Sequence, residues 1–371
     1  MRTTIVVALA LAASAGAAHA YPQFQISREQ TCASCHVSPD GGGLLNEYGE
    51  MTAEDDARWG GDPRFLHGAV ELPPWLHLGG DVRAAAGASD AGGGISGAAF
   101  PMQVELRATA TKGAVTLVVD GGLTVKPDDG SALSQLMSRE HYLLWNQRDT
   151  GDGWFARAGR FQPVYGLRLA EHTAYTRRFG GSPLFSEIYG ASVGWTSPEA
   201  ELHVTGFIHD RLRPNVEDGD GVSGYAEKRF GQRAVGVEAR YARGPDKSRF
   251  EGGVTGKWWL GGPSVLLAGE LQGVHESLDA GPAGNVKRDA IVGNLMATWF
   301  PMRSVFVDVI LGHYDQDVTV PKLDRNAAEV NVHWFPHSHV ELVLMGRLQM
   351  ISFGGGGPNS GYGLLQVHYR I

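Results

Sequence analysis

The chain has 371 residues, with 32 basic and 40 acidic side chains, a net charge of −8 and 52 glycines. The acidic balance argues against nucleic-acid binding. Beyond the first twenty residues no apolar run is long enough for a transmembrane helix. The fold of the glycine-rich remainder of the chain is therefore predicted from its motifs and from the periodicity of its hydrophobic residues.

The first twenty residues have the features of a signal peptide. Arg2 supplies a short basic region, residues 5–13 are apolar but too few to span a bilayer, and AHA at 18–20 is a small-x-small cleavage site. We therefore expect residues 1–20 to be removed, and the mature chain to begin at Tyr21 outside the cytoplasm.

Both cysteines of the chain lie in one motif, CASCH, formed by Cys32, Cys35 and His36. Cys-x-x-Cys-His is the attachment signature of c-type haem, and the histidine is then placed to bind the iron as the proximal ligand. A disulfide is the alternative in an oxidising compartment. A zinc site is less favoured, because no second pair of ligands follows at a suitable spacing. The motif predicts one covalent haem c, with His36 as an axial iron ligand.

Residues 21–74 are predicted to form a small, partly helical monohaem cytochrome c domain and linker. Helical character runs from Leu44 to Trp59 and stops at two glycines. The prolines in ELPPW at 71–75 can enter neither a helix nor a central strand. We therefore place the boundary of this domain at the linker.

The sixth position on the iron has two candidates, Met51 in the predicted helix and His67 in the linker. A methionine ligand raises the reduction potential relative to histidine, although Met51 also fits an ordinary apolar helix position. His77 lies on the first predicted strand, and the favoured interpretation is that it is a polar residue facing the lumen and not an iron ligand. An open sixth position is a further alternative.

From residue 75 to residue 371 the hydrophobicity alternates with period two. The stretches 102–112 (MQVELRATATK), 200–209 (AELHVTGFIH) and 339–350 (HVELVLMGRLQM) show it most clearly. Strict alternation predicts strands with one apolar and one polar face. Such strands fit either a soluble β-sandwich or a transmembrane barrel whose apolar face meets lipid.

Strand length, loop length and tryptophan positions favour the barrel. About sixteen strands of roughly 10 to 14 residues suit tilted membrane strands better than the ~5–6 residues of soluble strands, and long connections alternate with tight turns. Five tryptophans end even-numbered strands beside tight turns: Trp145, Trp195, Trp259, Trp299 and Trp334. They predict an aromatic girdle. We therefore expect an all-β antiparallel barrel of about 16 strands over 75–371, in the outer membrane, with both ends in the periplasm.

An arginine-rich stretch, residues 157–178, lies mostly in the longest predicted connection, between strands five and six. A loop at this place can fold inward and narrow the pore. Arg168 and Arg177 are predicted contacts of haem propionates or of anionic substrates, because a guanidinium group binds a carboxylate in a bidentate manner. An ordinary charged lumen wall and a solvated loop are the alternative. No Ser-His-Asp triad, phosphate loop or paired-carboxylate motif is recognisable in the sequence.

The order of signal, CASCH, short link and barrel resembles the fused monohaem cytochrome–porin family of outer-membrane proteins, of the iron-oxidising type or a related haem-bearing porin group. The resemblance covers the mature chain in architecture, and its specific residues are Cys32, Cys35 and His36. It implies a haem domain in or at the barrel that takes electrons from outside the cell.

These observations lead to one functional hypothesis and one alternative. The hypothesis is electron transfer between an extracellular redox substrate and a periplasmic cytochrome or other electron carrier, through a haem held in a barrel surrounded by outer-membrane lipid. Such a protein is an electron carrier or an oxidoreductase rather than a hydrolase or transferase. The alternative is a porin for small solutes whose haem domain is a plug, gate or redox sensor. A soluble haem enzyme would need a soluble β region, against which the tryptophan ring argues.

Overall fold

The computed structural model describes residues 22–90, 92–123, 136–171, 173–181, 183, 186–210, 219–351 and 359–371. The predicted signal peptide at 1–20 lies outside the described residues. Among the residues described, no helix is both long enough and apolar enough to cross a membrane.

Most of the described chain forms one antiparallel sheet of sixteen strands that closes into a barrel. Each strand pairs with its neighbours in the chain, and β1 closes the barrel against β16, with Asp81 opposite Arg370. The strands are β1 Leu76–Asp90, β2 Ile95–Lys112, β3 Val115–Leu123, β4 Leu136–Asn146, β5 Gly153–Phe161, β6 Ile188–Ser197, β7 Ala200–Ile208, β8 Asp220–Arg229, β9 Arg233–Arg243, β10 Lys247–Leu260, β11 Val265–Asp279, β12 Asn285–Met302, β13 Val305–Asp315, β14 Asp324–His337, β15 Val340–Ile351 and β16 Ser360–Arg370. The predicted fold class is confirmed.

The two faces of the strands differ as the alternation predicts. On β9, Val235 and Val237 point outward and are each 58% exposed, whereas Glu238 and Arg240 point inward and are buried. The same division holds on most strands, so the wall has an aliphatic exterior and a charged interior. This is the arrangement of a barrel surrounded by lipid, because a soluble sandwich would bury its apolar face instead.

Tight turns and exposed tryptophans gather at the end of the barrel where β1 begins and β16 ends. Trp154 lies opposite Trp195 across the β5–β6 pair, and Trp299 is 51% exposed. The expected contribution of Trp259 to the girdle is wrong by one residue. Trp258 is the exposed member of this adjacent pair, and Trp259 packs against a buried cluster because successive side chains on a strand face opposite sides.

The N-terminal segment, residues 22–74, contains two helices and two 3-10 turns. They are α1 Pro22–Ser27, the turn Cys32–Ser34, α2 Glu47–Asp56 and the turn Phe65–Gly68. Helix α2 is shorter than the helix predicted from Leu44 to Trp59. Asn46 caps its N-terminus by accepting a hydrogen bond from the Gly49 amide at 2.9 Å, and Leu45 forms a β-bridge with His36.

The N-terminal segment lies in the mouth of the barrel at the tight-turn end. The Ser338 amide, in the β14–β15 turn, donates to the Gly60 carbonyl at 3.1 Å. Deeper in the lumen, the Lys257 ammonium on β10 donates to the Gln25 side chain at 2.7 Å. The segment is therefore held inside the barrel by hydrogen bonds at both levels.

The connection between β5 and β6, residues 162–187, folds into the lumen and is called the inward loop below. It carries the short helix α3, Tyr175–Phe179. The Thr176 hydroxyl on α3 donates to Glu270 Oε2 on β11 at 2.8 Å, so the loop crosses from the β5–β6 side to the opposite wall. The predicted inward fold of this connection is confirmed.

The N-terminal segment and the inward loop also pack on each other. Ile26 of α1 belongs to one buried apolar cluster with Leu167 and Leu169 of the inward loop. Buried aliphatic side chains of this kind each stabilise a packed state by about 1.5–3 kcal/mol relative to exposure. The contents of the lumen therefore form one packed unit with the wall.

Candidate functional site

The Cys-x-x-Cys-His motif forms a compact turn. Thr31 caps it, because its hydroxyl accepts from the Ser34 amide at 3.1 Å and the Ser34 hydroxyl accepts from the Thr31 amide at 3.3 Å. The His36 amide donates to the Cys32 carbonyl at 3.0 Å. Cys32 and Cys35 are free thiols, not a disulfide, so the motif presents two thiols and an imidazole from one turn.

Helix α2 supports this turn from behind. The Asn46 side-chain amide donates to the carbonyls of Ala33 and Ser34 at 3.2 and 3.0 Å, and its backbone amide donates to the Cys35 carbonyl at 2.9 Å. At Gly49 the helix approaches so closely that a Cβ would lie 2.1 Å from the Cys35 carbonyl oxygen. Only glycine allows this contact without a shift of the backbone.

A cavity that opens to solvent lies beside the motif, where the N-terminal segment meets β1, β16 and the β14–β15 turn. Cys32, Cys35 and His36 all line this cavity. Its apolar lining includes Phe24, Leu44, Leu45, Leu78 and Phe335. The motif therefore faces a mainly apolar space inside the barrel mouth.

Four arginines also line the cavity: Arg28, Arg83, Arg107 and Arg370. Arg107 is already engaged, with Glu105 at 2.7 Å and Asp120 at 2.9 Å on the wall. Arg83 differs, because its Nε is buried and donates no hydrogen bond to the described part of the chain. A buried guanidinium nitrogen of this kind fits a carboxylate of a ligand in the cavity.

The residues at this site fit a c-type haem. Burial raises the pKa of the Cys32 and Cys35 thiols and lowers the pKa of the His36 imidazole to about 4. The imidazole is therefore neutral, which is the form that binds iron. Two adjacent thiols, a neutral imidazole, an apolar cavity and a cationic partner for carboxylates are the donor set that the motif predicts.

The predicted sixth ligands lie apart from this cavity. Met51 on α2 is 53% exposed, and His67 is exposed and hydrogen bonded through Nε2 to the Tyr369 hydroxyl at 2.7 Å. Neither Met51 nor His67 is among the described residues that line the cavity. His77 does line it, and its Nε2 lies 2.8 Å from Glu50 Oε1. A sixth ligand from Met51 or His67 stays a prediction.

The two arginines predicted as propionate contacts are buried in the inward loop. Arg168 pairs with Glu201 and lies 5.4 Å over the Tyr225 ring, and Arg177 on α3 is 3% exposed. Neither arginine is among the described residues that line the cavity. Arg168 is nevertheless the charged group with the largest effect on the pKa of the Cys32 thiol, which it lowers. Contact with propionates stays a prediction for both.

Residues from the end of the chain complete the cavity, and sequence reasoning missed them. His339 lies 2.6 Å from the Arg370 carbonyl through Nδ1 and 2.6 Å from the Asp62 carbonyl through Nε2. The Ile371 amide donates to the Gly80 carbonyl at 2.9 Å. One argument could have found these residues: a closed barrel must pair its last strand with its first, and this pairing brings the end of the chain to the cavity.

A hydrogen-bonded row leads from the cavity into the lumen wall. Asp81, which lines the cavity, lies 2.5 Å from His368 Nε2. His368 Nδ1 lies 2.9 Å from Glu341 Oε2, and Glu341 Oε1 lies 2.9 Å from His333 Nδ1. The row joins the cavity electrostatically to a second group of polar side chains deeper in the lumen.

Comparison with models of protein families gives no match, and comparison with curated proteins gives none either. Solved structures do match. The anion-selective porin from Comamonas acidovorans is 13% identical, with 80% of this chain and 99% of that chain covered and a TM-score of 0.60. OmpT of Vibrio cholerae is 12% identical over 81% and 100% of the two chains (TM-score 0.59), and the channel DcaP of Acinetobacter baumannii is 12% identical over 80% and 97% (TM-score 0.59). The chain therefore has the fold of the outer-membrane porins.

Proposed function

We propose that this chain is an outer-membrane barrel of the porin type whose mouth is closed by the N-terminal segment, and that this segment carries one covalent haem c and controls passage through the lumen. The observation that carries the proposal is the position of Cys32, Cys35 and His36, which line a cavity inside the barrel mouth. A haem-binding motif there makes the segment a plug as well as a cofactor site.

The aliphatic exterior supports the location in the outer membrane, with lipid as the surrounding partner. Val235, Val237 and Leu295 are between 58% and 65% exposed on the wall, which is costly in water but favourable in lipid. The likeness to porins and channels named as outer-membrane proteins supports the same location.

Four residues of this site would hold the haem. Cys32 and Cys35 would form the thioethers, His36 would bind the iron, and Arg83 would meet a propionate. When bound, the cofactor supplies one-electron redox chemistry. The chain orients the ligand histidine by fixing its turn against α2, and the apolar residues of the cavity lining would pack against the cofactor.

The packed contents of the lumen support a plug that gates or senses. The N-terminal segment lies in the mouth and the inward loop crosses the lumen beyond it, so both narrow the space that is left for solutes. A change of charge in the cavity acts on Asp81 and, through the row of hydrogen bonds, on His333. Such coupling would let the redox state of the plug affect the inward loop.

A second candidate function is electron transfer across the membrane, between an extracellular redox substrate and a periplasmic cytochrome or other carrier. The observation that favours it is the placement of the cavity within the barrel, surrounded by an insulating lipid layer. In this case the barrel holds a redox centre within the membrane, and the lumen is narrow because it contains that centre and not because it gates solutes.

Liposomes that contain the purified protein distinguish the two functions. One population encloses an oxidised dye and receives an impermeant reductant outside, and the other measures the efflux of a small sugar with the haem oxidised or reduced. Wild type is compared with Cys32→Ser/Cys35→Ser, which keeps the barrel but cannot attach haem.

A plug predicts sugar efflux that differs between the two redox states in wild type and does not differ in the double variant. Electron transfer predicts dye reduction by wild type alone. If both proteins show the same efflux in both states and both leave the dye oxidised, the proposed function is contradicted.

A further inference from the structure

Three side chains of metal-ligating type converge in the lumen, beyond the row of hydrogen bonds. Glu171 belongs to the inward loop, Asp308 to β13 and His333 to β14. All three are buried, and one donor atom from each lies within 4.8 Å of the others. Three elements distant in sequence therefore bring one nitrogen and two oxygen donors to a single point.

The distances within this group suit a shared ion. His333 Nε2 lies 3.4 Å from Asp308 Oδ2 and 3.8 Å from Glu171 Oε1. Both are longer than the ~2.7–3.2 Å of a good hydrogen bond. Ligand atoms placed about 2.0–2.1 Å from a tetrahedral zinc ion lie about 3.3–3.4 Å from one another, so a small contraction would complete the site.

The imidazole of His333 is oriented for this role by its neighbours. Its Nδ1 lies 2.9 Å from Glu341 Oε1, and its ring stacks on Phe306 with the centroids 4.2 Å apart. A histidine that binds a metal through one nitrogen commonly donates the other N–H to a carboxylate, which fixes its tautomer and ring angle. Glu341 takes that position here.

The excess of carboxylates at the site also favours binding of a cation. Glu171, Asp308 and Glu341 place three carboxylates around one imidazole, and Asp308 Oδ2 accepts no hydrogen bond from the residues described here. Buried carboxylates in such excess are stabilised by a partner cation or a metal ion.

We propose that Glu171, Asp308 and His333 bind a divalent first-row transition-metal ion, such as zinc, and that the ion ties the inward loop to the lumen wall. One imidazole nitrogen with two carboxylate oxygens suits zinc and its neighbours better than calcium or magnesium, which take oxygen ligands. Because Glu171 is the only member of the three that belongs to the loop, loss of the ion would remove the link that joins Glu171 to β13 and β14. The proposal does not rest on the function proposed above.

Zinc binding by the full-length, haem-loaded protein in detergent tests the site. The protein is stripped with a chelator, dialysed against zinc, and analysed for zinc per barrel. Asp308→Asn removes one ligand charge without a change of shape, and Glu341→Gln leaves all three ligands but weakens the orientation of His333. Glu276→Gln is the matched control, because Glu276 is a buried lumen carboxylate paired with Arg249 and Lys247 instead.

We expect wild type and Glu276→Gln to bind one zinc ion more than Asp308→Asn, and Glu341→Gln to bind it about 10–100-fold more weakly. Zinc should also slow hydrogen–deuterium exchange of the inward loop in wild type and not in Asp308→Asn. Equal zinc content and equal exchange in wild type and Asp308→Asn would overturn the site, and would mean that His333 acts as an ion-paired imidazolium. Repeating the comparison on Cys32→Ser/Cys35→Ser separates this outcome from failure of the haem proposal.

Discussion

The guanidinium of Arg157, on β5, lies 3.7 Å from the carboxylate of Asp40 in the N-terminal segment. Arg157 also donates to the Gln162 carbonyl at 2.7 Å, at the start of the inward loop, and lies 4.0 Å over the Phe161 ring. One buried side chain thus links the wall, the segment and the loop, and it is the natural place to test whether the segment closes the barrel.

Arg157→Met should loosen the N-terminal segment and raise the conductance of the barrel. Removal of one partner of a buried ion pair costs about 3–5 kcal/mol because the remaining charge is left unpaired, and Asp40 would then favour solvent. Single-channel conductance in planar bilayers measures the effect. Arg233→Met is the control, since Arg233 lies over Trp258 on the exterior, and conductance equal to wild type in both variants would argue against a seated plug.

Gly49→Ala should displace α2 from the haem motif. A Cβ at this position meets the Cys35 carbonyl oxygen at 2.1 Å, and overpacking of this kind costs about 1–3 kcal/mol. Hydrogen–deuterium exchange over residues 45–56 should become faster. Gly346→Ala on β15 is the control, because its Cβ would meet nothing within 4 Å. Unchanged exchange in Gly49→Ala would mean that α2 does not support the motif.

The barrel could be predicted from the sequence because its signals are local. Alternation along a strand, such as β9, reports which face meets lipid, and a short turn reports where the chain reverses. The motif at Cys32–His36 is local as well. The cavity could not be predicted, because Arg83 and Arg370 line the same cavity only when β1 closes against β16, and that pairing joins residues almost 300 positions apart.

Smaller errors also have physical causes. The helix predicted from Leu44 begins later because Leu45 pairs with His36 instead. The position of Trp259 at a strand end led to the prediction that it faces outward. Two adjacent tryptophans cannot share one face of a strand, and Trp258 takes the outward face. The group around His333 has no local signal at all, since its members come from a loop and two strands.

The contact of the linker with the barrel rim should weaken at acidic pH. Partial desolvation, together with His339 and His337, lowers the pKa of His67 below its usual 6.5. The released linker therefore takes up a proton more readily than the docked linker, and docking loses stability as the pH falls below 6.5. Limited proteolysis between residues 57 and 75, from pH 8 to pH 5, should show faster cleavage at the acidic end.

His67→Gln should remove most of that pH dependence, since glutamine can still reach the Tyr369 hydroxyl but does not titrate. His313→Gln serves as the control, because His313 lies on β13 and contacts Asn326 instead. Cleavage whose pH profile is the same in wild type and in His67→Gln would assign the effect to other groups.

The topology should place the long loops outside the cell and the tight turns in the periplasm. A peptide tag within residues 316–323, between β13 and β14, is expected to bind antibody on intact cells. A tag in the turn at Pro198 and Glu199, between β6 and β7, is expected to bind only after the outer membrane is opened. The reverse labelling pattern would invert the barrel and move the N-terminal segment to the cell surface.

The most direct test of the central claim is the intact mass and haem stain of the denatured, purified protein, made in a host with working cytochrome c maturation. We predict that wild type keeps its haem after denaturation, gains the mass of one haem and stains for peroxidase activity, whereas Cys32→Ser/Cys35→Ser does none of these. A wild-type chain with the mass of the bare polypeptide and no stain would contradict the account of a haem-bearing plug.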